Sequence, residues 1–266
     1  MNPVEVTRGD GPVVLGLPHT GTWLPEDVRA RLNERGRALA DTDWHIDRLY
    51  AGLLPGVTKV RATFHRYLLD ANRDPSGASL YPGQNTTGLV PMTDFDGEAI
   101  WDDPPGEVEI EARREAYHAP YHAALSAELE RVRARHGVAI LYDCHSIRGE
   151  IPFLFGGHLP DFNIGTNGGT TCAPAIEAAV QGICAAAPGY SYILNGRFTG
   201  GWTTRHYGRP AKGLHAIQME LAQRNYLTEE APPWAYDEAK AEALRTHLKD
   251  ILQTLAGLAG TLEGSR

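Results

Sequence analysis

The sequence predicts an α/β fold with a mostly parallel sheet. Short apolar runs of the buried-strand kind recur at Val13–Leu17, Val138–Tyr142 and Leu214–Leu221. They alternate with longer stretches of helical period, of which Glu107–His136 and Ala239–Leu258 are the clearest. Such alternation builds a sheet covered by helices. No internal repeat or low-complexity linker interrupts the 266 residues, so they are read as a single domain, 1–266.

Val13–Leu17 is the first strand. Pro18 donates no N–H and ends its pairing, Gly21 permits the turn, and His19 projects from the carboxyl end. Leu24–Arg35 reads as a short helix with Pro25 in its first turn. Asp41–Leu54 reads as the next helix, capped by Asp41 or Thr42, with Ile46, Leu49, Tyr50 and Leu53 as its apolar stripe. Asp43 and Asp47, four apart, then share one face: either a cap plus a surface carboxylate, or a metal ligand. Thr58–Leu69 alternates like a strand and leads into Asn72-Arg73. Residues 75–106 show no period. A loop that long in a compact domain is commonly functional, here a cover over the active site, with Tyr81 and Trp101 packing part of it.

Glu107–His136 carries a buried stripe of Ile110, Tyr117, Tyr121, Leu125, Leu129 and Val132, and Pro120 predicts a kink. His118 and His122 have metal-ligand spacing but lack the glutamate of a zincin helix, so they are read as solvated or locally bonded. The strand at 138–146 follows, then a helix at Pro174–Ala187 and a strand at Tyr190–Leu194. Gly200–Gly208 is aperiodic. A strand at Leu214–Leu221 precedes the closing helix, whose last residues are expected to fray.

Composition excludes several classes. Net charge is −8 with no basic cluster, which argues against nucleic acid. No run of ~18 apolar residues and no N-terminal apolar segment after a basic start occur, so a soluble, cytoplasmic protein is expected. Cys144, Cys172 and Cys184 are odd in number and form no CxxC pair, so neither a disulfide framework nor a thiolate zinc site is indicated.

Four strand ends carry chemistry: His19, Asn72-Arg73, His145 and Glu220. Two imidazoles and one carboxylate make a three-ligand catalytic zinc site with a position open for water. A separate carboxylate can take that water's proton. Glu220 lies in an apolar strand, where a charge is costly unless used or paired, Arg224 being the available partner. Arg73 offers the rigid fork suited to a carboxylate, or merely a surface charge in an Asx-turn. No phosphate loop or nucleophile elbow is present. Cys144 adjoins His145 on one strand and faces the other way, so His145 would be a poor base for it.

Pro18-His19-Thr20-Gly21, Asp43 with Asp47, Arg66 with Asp70 through Pro75, Asp143 through Ser146, and Glu220 through Arg224 occur in the order of the N-formylglutamate amidohydrolase family. The sequence resembles that family over nearly its whole length, and Gly200–Gly208 resembles its histidine-degradation members. The resemblance implies a three-layer α/β/α, phosphorylase/hydrolase-like fold related to zinc carboxypeptidases. It implies a divalent metal, zinc, and hydrolysis of N-formyl-L-glutamate to glutamate and formate, the last step of one bacterial histidine-breakdown route. Asn72-Arg73 resembles the carboxypeptidase pair that grips a terminal carboxylate, and Arg66 resembles the arginine that polarises the scissile carbonyl. Where zinc carboxypeptidases place a glutamate three residues after the first histidine, this chain has Thr22. The carboxylate ligand therefore falls to Asp43 or Asp47, with Glu26 behind them. A dianionic substrate calls for a second cation, and Arg148 or Arg205 is expected to supply it. The alternatives are a zinc N-acyl amino acid deacylase or carboxypeptidase, and a non-catalytic binding protein on the same fold. The intact His19, His145 and Glu220 argue against the last.

Overall fold

A computed structural model describes residues 1–79 and 83–262. Among them are β1 (Val4–Thr7), β2 (Val13–Leu17), β3 (Thr58–Ala62), β4 (Ala139–Ile147), β5 (Phe162–Gly165), β6 (Tyr192–Leu194) and β7 (Leu214–Ala222). They form one mixed sheet in the order β1-β3-β2-β4-β7-β5-β6. The inner strands β3, β2, β4 and β7 run parallel, while β1 and β5 are antiparallel to their inner neighbours. Every residue of β2, β4 and β7 is buried, which is why β2 and the first half of β4 read as apolar runs rather than alternating ones.

Helices cover both faces. On one, Leu15, Ile140, Tyr142 and Ile217 pack with the helices Pro174–Ala186 and Glu238–Leu258. On the other, Val14, Val60, Leu141 and Ala216 pack with Ala119–His136 and Glu26–Arg31. This is the expected α/β/α layering. The stripe Leu244, Leu248, Ile251 and Leu255 is wholly buried. At roughly 1.5–3 kcal/mol per such side chain, packing rather than intrinsic propensity holds the last helix.

Several expected elements differ: the strand read over Thr58–Leu69 ends at Ala62, and the helix read over Leu24–Arg35 breaks at Leu32 into Glu26–Arg31 and Glu34–Arg37. The helix foreseen over Asp41–Leu54 shrinks to Ile46–Leu49. The Asp43 amide donates to His19 O (3.1 Å) and His45 adopts φ +58°, so the preceding residues wrap as turns against β2's exit. The apolar stripe is buried as foreseen, but Asp43 and Asp47 share no helical face: Asp43 is buried and Asp47 exposed. Gly200–Gly208, read as aperiodic, contains the short helix Trp202–Tyr207. The kink foreseen at Pro120 is a π-helical turn, Arg114–His118, immediately before it. A proline removes one i→i−4 donor, and the wider turn accommodates that loss. In the 75–106 loop, Trp101 is buried and donates to Pro91 O (2.8 Å). Tyr81 and the terminal residues expected to fray (263–266) lie outside the described residues.

His118 and His122 are locally bonded, to Arg73 O (3.0 Å) and Ala71 O (2.7 Å). They hold the main chain on either side of Asn72. Burial drives the His122 pKa from 6.5 down to about 3. The unfolded chain takes up a proton near 6.5 and the fold resists it. His122 therefore contributes stability that is present above pH 6.5 and lost as pH falls from there toward 3. His122→Gln is expected to flatten the dependence of urea-unfolding free energy on pH between 6.5 and 4, by up to about 1.4 kcal/mol per pH unit. Superimposable pH profiles of variant and parent would show that His122 carries no such linkage.

Candidate active site

The site lies at the carboxyl ends of β2, β4 and β7. The polar residues after Tyr142 do not end β4, which pairs with β7 through Ile147 and sets His145 opposite Glu220. Side chains alternate along a strand. Cys144 therefore joins the apolar core, while Asp143 and His145 face the other way.

His19, Asp43 and His145 are all buried and each offers one ligand atom within 4.8 Å of the others. Asp43 Oδ2 lies 3.3 Å from His145 Nδ1 and 3.7 Å from His19 Nδ1, and it accepts the Ser146 amide at 3.2 Å. The far side of each ring meets another carboxylate. His19 Nε2 is 2.6 Å from Asp70 Oδ1, and His145 Nε2 is 3.1 Å from Asp143 Oδ1. A neutral ring so placed keeps its proton on Nε2, leaving both Nδ1 lone pairs directed at the space beside Asp43. Burial alone would raise the Asp43 pKa, but the two imidazoles outweigh it and hold the carboxyl well below its ordinary range. Burial alone would lower that of His145, but Asp143 drives it well up. Carboxylates thus outnumber cations around converging nitrogens, a donor set that fits a divalent ion. Asp70→Asn removes the anion behind His19 and is expected to weaken metal affinity by ~10–100-fold in a competition titration. Parental affinity in that variant would exclude Asp70 as a backing group.

Glu220 is buried beside this group. Burial pushes its carboxyl up to about 8 against the pull of His145. Its Oε2 accepts from Gln218 Nε2 (3.2 Å), and Gln218 Oε1 accepts the Gly201 amide (2.7 Å). Arg224, its foreseen alternative partner, instead donates to Asp161 Oδ1 at 2.7 Å. Asn72 Oδ1 accepts the Thr203 amide (2.9 Å), which turns Asn72 Nδ2 to within 3.2 Å of His145 Nε2. The helix Trp202–Tyr207 therefore starts on the site and fixes an amide in it.

One cavity collects His19, His145, Glu220, Asn72, Arg66 and Arg73. Asn85, Thr86, Thr87 and Phe95 of the 75–106 loop line it as well. Arg66 donates to Asp70 Oδ2 (2.7 Å) and lies over the Phe95 ring (4.7 Å). Its Nε is buried with no hydrogen-bond partner among the described residues. The remaining sequence candidates are elsewhere. Asp47 is exposed, 3.8 Å from Arg61, and Glu26 is exposed. Arg148 donates to Asp96 Oδ1 (3.0 Å), and Arg205 to Gly200 O and Thr199 Oγ1. Among the described residues neither arginine lines this cavity; Arg197 does. Sequence reasoning also passed over Gln218. Its signal was its spacing: two residues from Glu220 on one strand means the same face.

The family model for N-formylglutamate amidohydrolases matches residues 11–227, a span that contains every residue of this cavity. The chain belongs to the N-formylglutamate amidohydrolase family. Within that family it is 47% identical over 253 residues to the N-formylglutamate deformylase of Pseudomonas aeruginosa, covering 93% of this chain and 94% of that one. It is 46% identical to the Pseudomonas putida enzyme of the same name, covering 93% of each chain. The crystal structure of N-formylglutamate amidohydrolase from Ralstonia eutropha JMP134 superposes with a TM-score of 0.80 at 27% identity, over 97% of this chain and 98% of that one. As a member of this amidohydrolase family, the chain is an enzyme.

Proposed function

We propose that this enzyme hydrolyses N-formyl-L-glutamate to L-glutamate and formate with a divalent metal, zinc, held by His19, Asp43 and His145. The observation that carries the reading is the buried convergence of two Nδ1 atoms and a carboxylate, with Glu220 and Arg66 in the same cavity. The names of the Pseudomonas relatives support the substrate. A divalent ion in this donor set supplies a Lewis acid for the formyl oxygen and lowers the pKa of water.

The chain's own residues do the rest. Glu220 takes a proton from the attacking water as the new C–O bond forms. Arg66 Nε, buried and without a hydrogen-bond partner among the described residues, donates to the formyl oxygen as negative charge develops there. The C–N bond then breaks, and Glu220 returns the proton to the glutamate nitrogen. Asn72 and Arg73 hold the carboxylate nearest the scissile amide, and residues 85–87 with Phe95 close over that side of the cavity. Acting on N-formylglutamate, the enzyme serves as the last step of a histidine-degradation route in the cytoplasm. Among the described residues no helix is long and apolar enough to cross a membrane.

A substrate panel tests the reading. N-formylglutamate should be turned over far better than N-acetylglutamate or a glutamyl peptide. Chelator-treated protein should lose turnover and regain it with zinc. Preference for an N-acetyl or peptide substrate would reassign the activity, and full turnover by metal-free protein would exclude the metal.

A further inference from the structure

Arg73 and Arg197 hang from one short piece of the covering loop. Arg73 donates from Nε to Thr87 O and from Nη2 to Thr87 Oγ1, both at 2.9 Å. Arg197 donates from Nη2 to Asn85 O (2.8 Å) and from Nε to Leu154 O (3.0 Å). Asn85 is itself fixed, through Nδ2 donation to Phe153 O at 2.8 Å. Asn85 and Thr87 are two residues apart, so their carbonyls are separated by no more than roughly 7 Å. That stretch of backbone anchors both guanidinium groups, and both arginines line the wall of one cavity.

A five-carbon diacid has four C–C bonds between its carboxyl carbons, about 5 Å when extended. Two cations anchored within that span line the same cavity, so a diacid of that length can lie between them. The two ends are not equivalent. Asn72, beside Arg73, places Nδ2 3.2 Å from His145 Nε2, so the Arg73 end adjoins the reacting centre. The Arg197 end is walled by Leu154 and Phe198, whose ring lies 5.3 Å from the guanidinium carbon. A carboxylate entering that apolar end is costly without a paired cation. Arg66 does not supply it, being held by Asp70 (2.7 Å) and lying 3.7 Å from Asp43.

We propose that Arg197 binds the side-chain carboxylate of the substrate and sets the enzyme's preference for an N-formyl dicarboxylate. The proposal rests on reading the cavity as the site of N-formylglutamate hydrolysis. Arginine meets a carboxylate with two parallel N–H donors, and a site built around a polar substrate group strongly rejects an analogue lacking it.

N-formylglutamate and N-formylglutamine differ at that end alone. The test compares kcat/KM for both in the parent enzyme, Arg197→Gln and Arg197→Lys. The parent is expected to favour the glutamate by ~10²–10⁴-fold. In Arg197→Gln the ratio should fall to within about 10-fold of unity. Should that variant not fold, Arg197→Lys keeps the charge but loses the fork, and its ratio should drop by about 10-fold. If either folded variant loses the same factor on both substrates, so that the ratio stays parental, Arg197 is a loop brace and the proposal is overturned. A parent enzyme that turns over neither substrate would overturn the reading of the site itself, which is a different outcome.

Discussion

Glu220→Gln is expected to lower kcat on N-formylglutamate by roughly 10²–10⁴-fold, the contribution of a positioned general base, while leaving the fold and the bound metal intact. The expectation follows from placement. Glu220 stands opposite His145 in the β4–β7 register, lines the cavity and is almost wholly buried. A carboxylate there is either used or neutralised by a partner. The partner available in sequence, Arg224, is committed to Asp161 and to Leu159 O. Gln218 holds Glu220 with a neutral amide that orients the carboxylate without cancelling its charge. Burial raises the affinity of this carboxyl for a proton, which suits a group that must accept one from water. Glutamine preserves the volume and the contact with Gln218 but cannot accept a proton. The check is steady-state kinetics alongside metal content and thermal unfolding of the purified variant. A variant that binds metal normally and turns over at near parental rate would make Glu220 structural.

The sequence made the sheet legible because its inner strands are buried on both faces: β2 is wholly apolar, and β4 opens on the apolar run Ala139–Tyr142. Edge strand β1, with Glu5 and Thr7 exposed, carries no such run. His19, His145 and Glu220 were legible for a related reason: a polar residue at the end of an apolar run stands out against its neighbours. What the sequence obscured depends on contacts between distant segments. The choice between Asp43 and Asp47 is made by the bond from Asp43 N to His19 O, 24 residues away in sequence, which turns the chain before any helix can form. Arg197 reaches the cavity because its guanidinium is pinned to Leu154 and Asn85, segments 43 and 112 residues away. No local period encodes that. The 3.6-residue rule misplaced Asp47 for the same reason: it presumes a helix that tertiary contacts had already broken.

The last expectation separates those two aspartates. Asp43→Asn should reduce metal affinity by more than ~10²-fold, beyond the ~10–100-fold typical of losing a group that only backs a ligand. Activity should fall with metal occupancy. Asp43 contributes the oxygen that lies 3.3 and 3.7 Å from the two Nδ1 atoms, and the Ser146 amide holds that same oxygen in place. The imidazoles keep it ionised despite its burial, so the group that could hold an ion already carries an anionic oxygen. Asparagine retains the shape and one carbonyl acceptor but not the charge, so the group that would hold a divalent ion would be two neutral imidazoles and a neutral amide. Asp47→Asn is the matched control. Its side chain is nearly half exposed and 3.8 Å from Arg61, so its removal should change stability by no more than about 0.5 kcal/mol. Metal affinity and kcat/KM should stay at parental values in that variant. Competition titration with a chromophoric chelator and activity assays on both proteins provide the comparison. Tight metal binding by Asp43→Asn together with its loss in Asp47→Asn would reverse the assignment, and with it the argument that the turn before Ile46 exists to bring Asp43 between the two histidines.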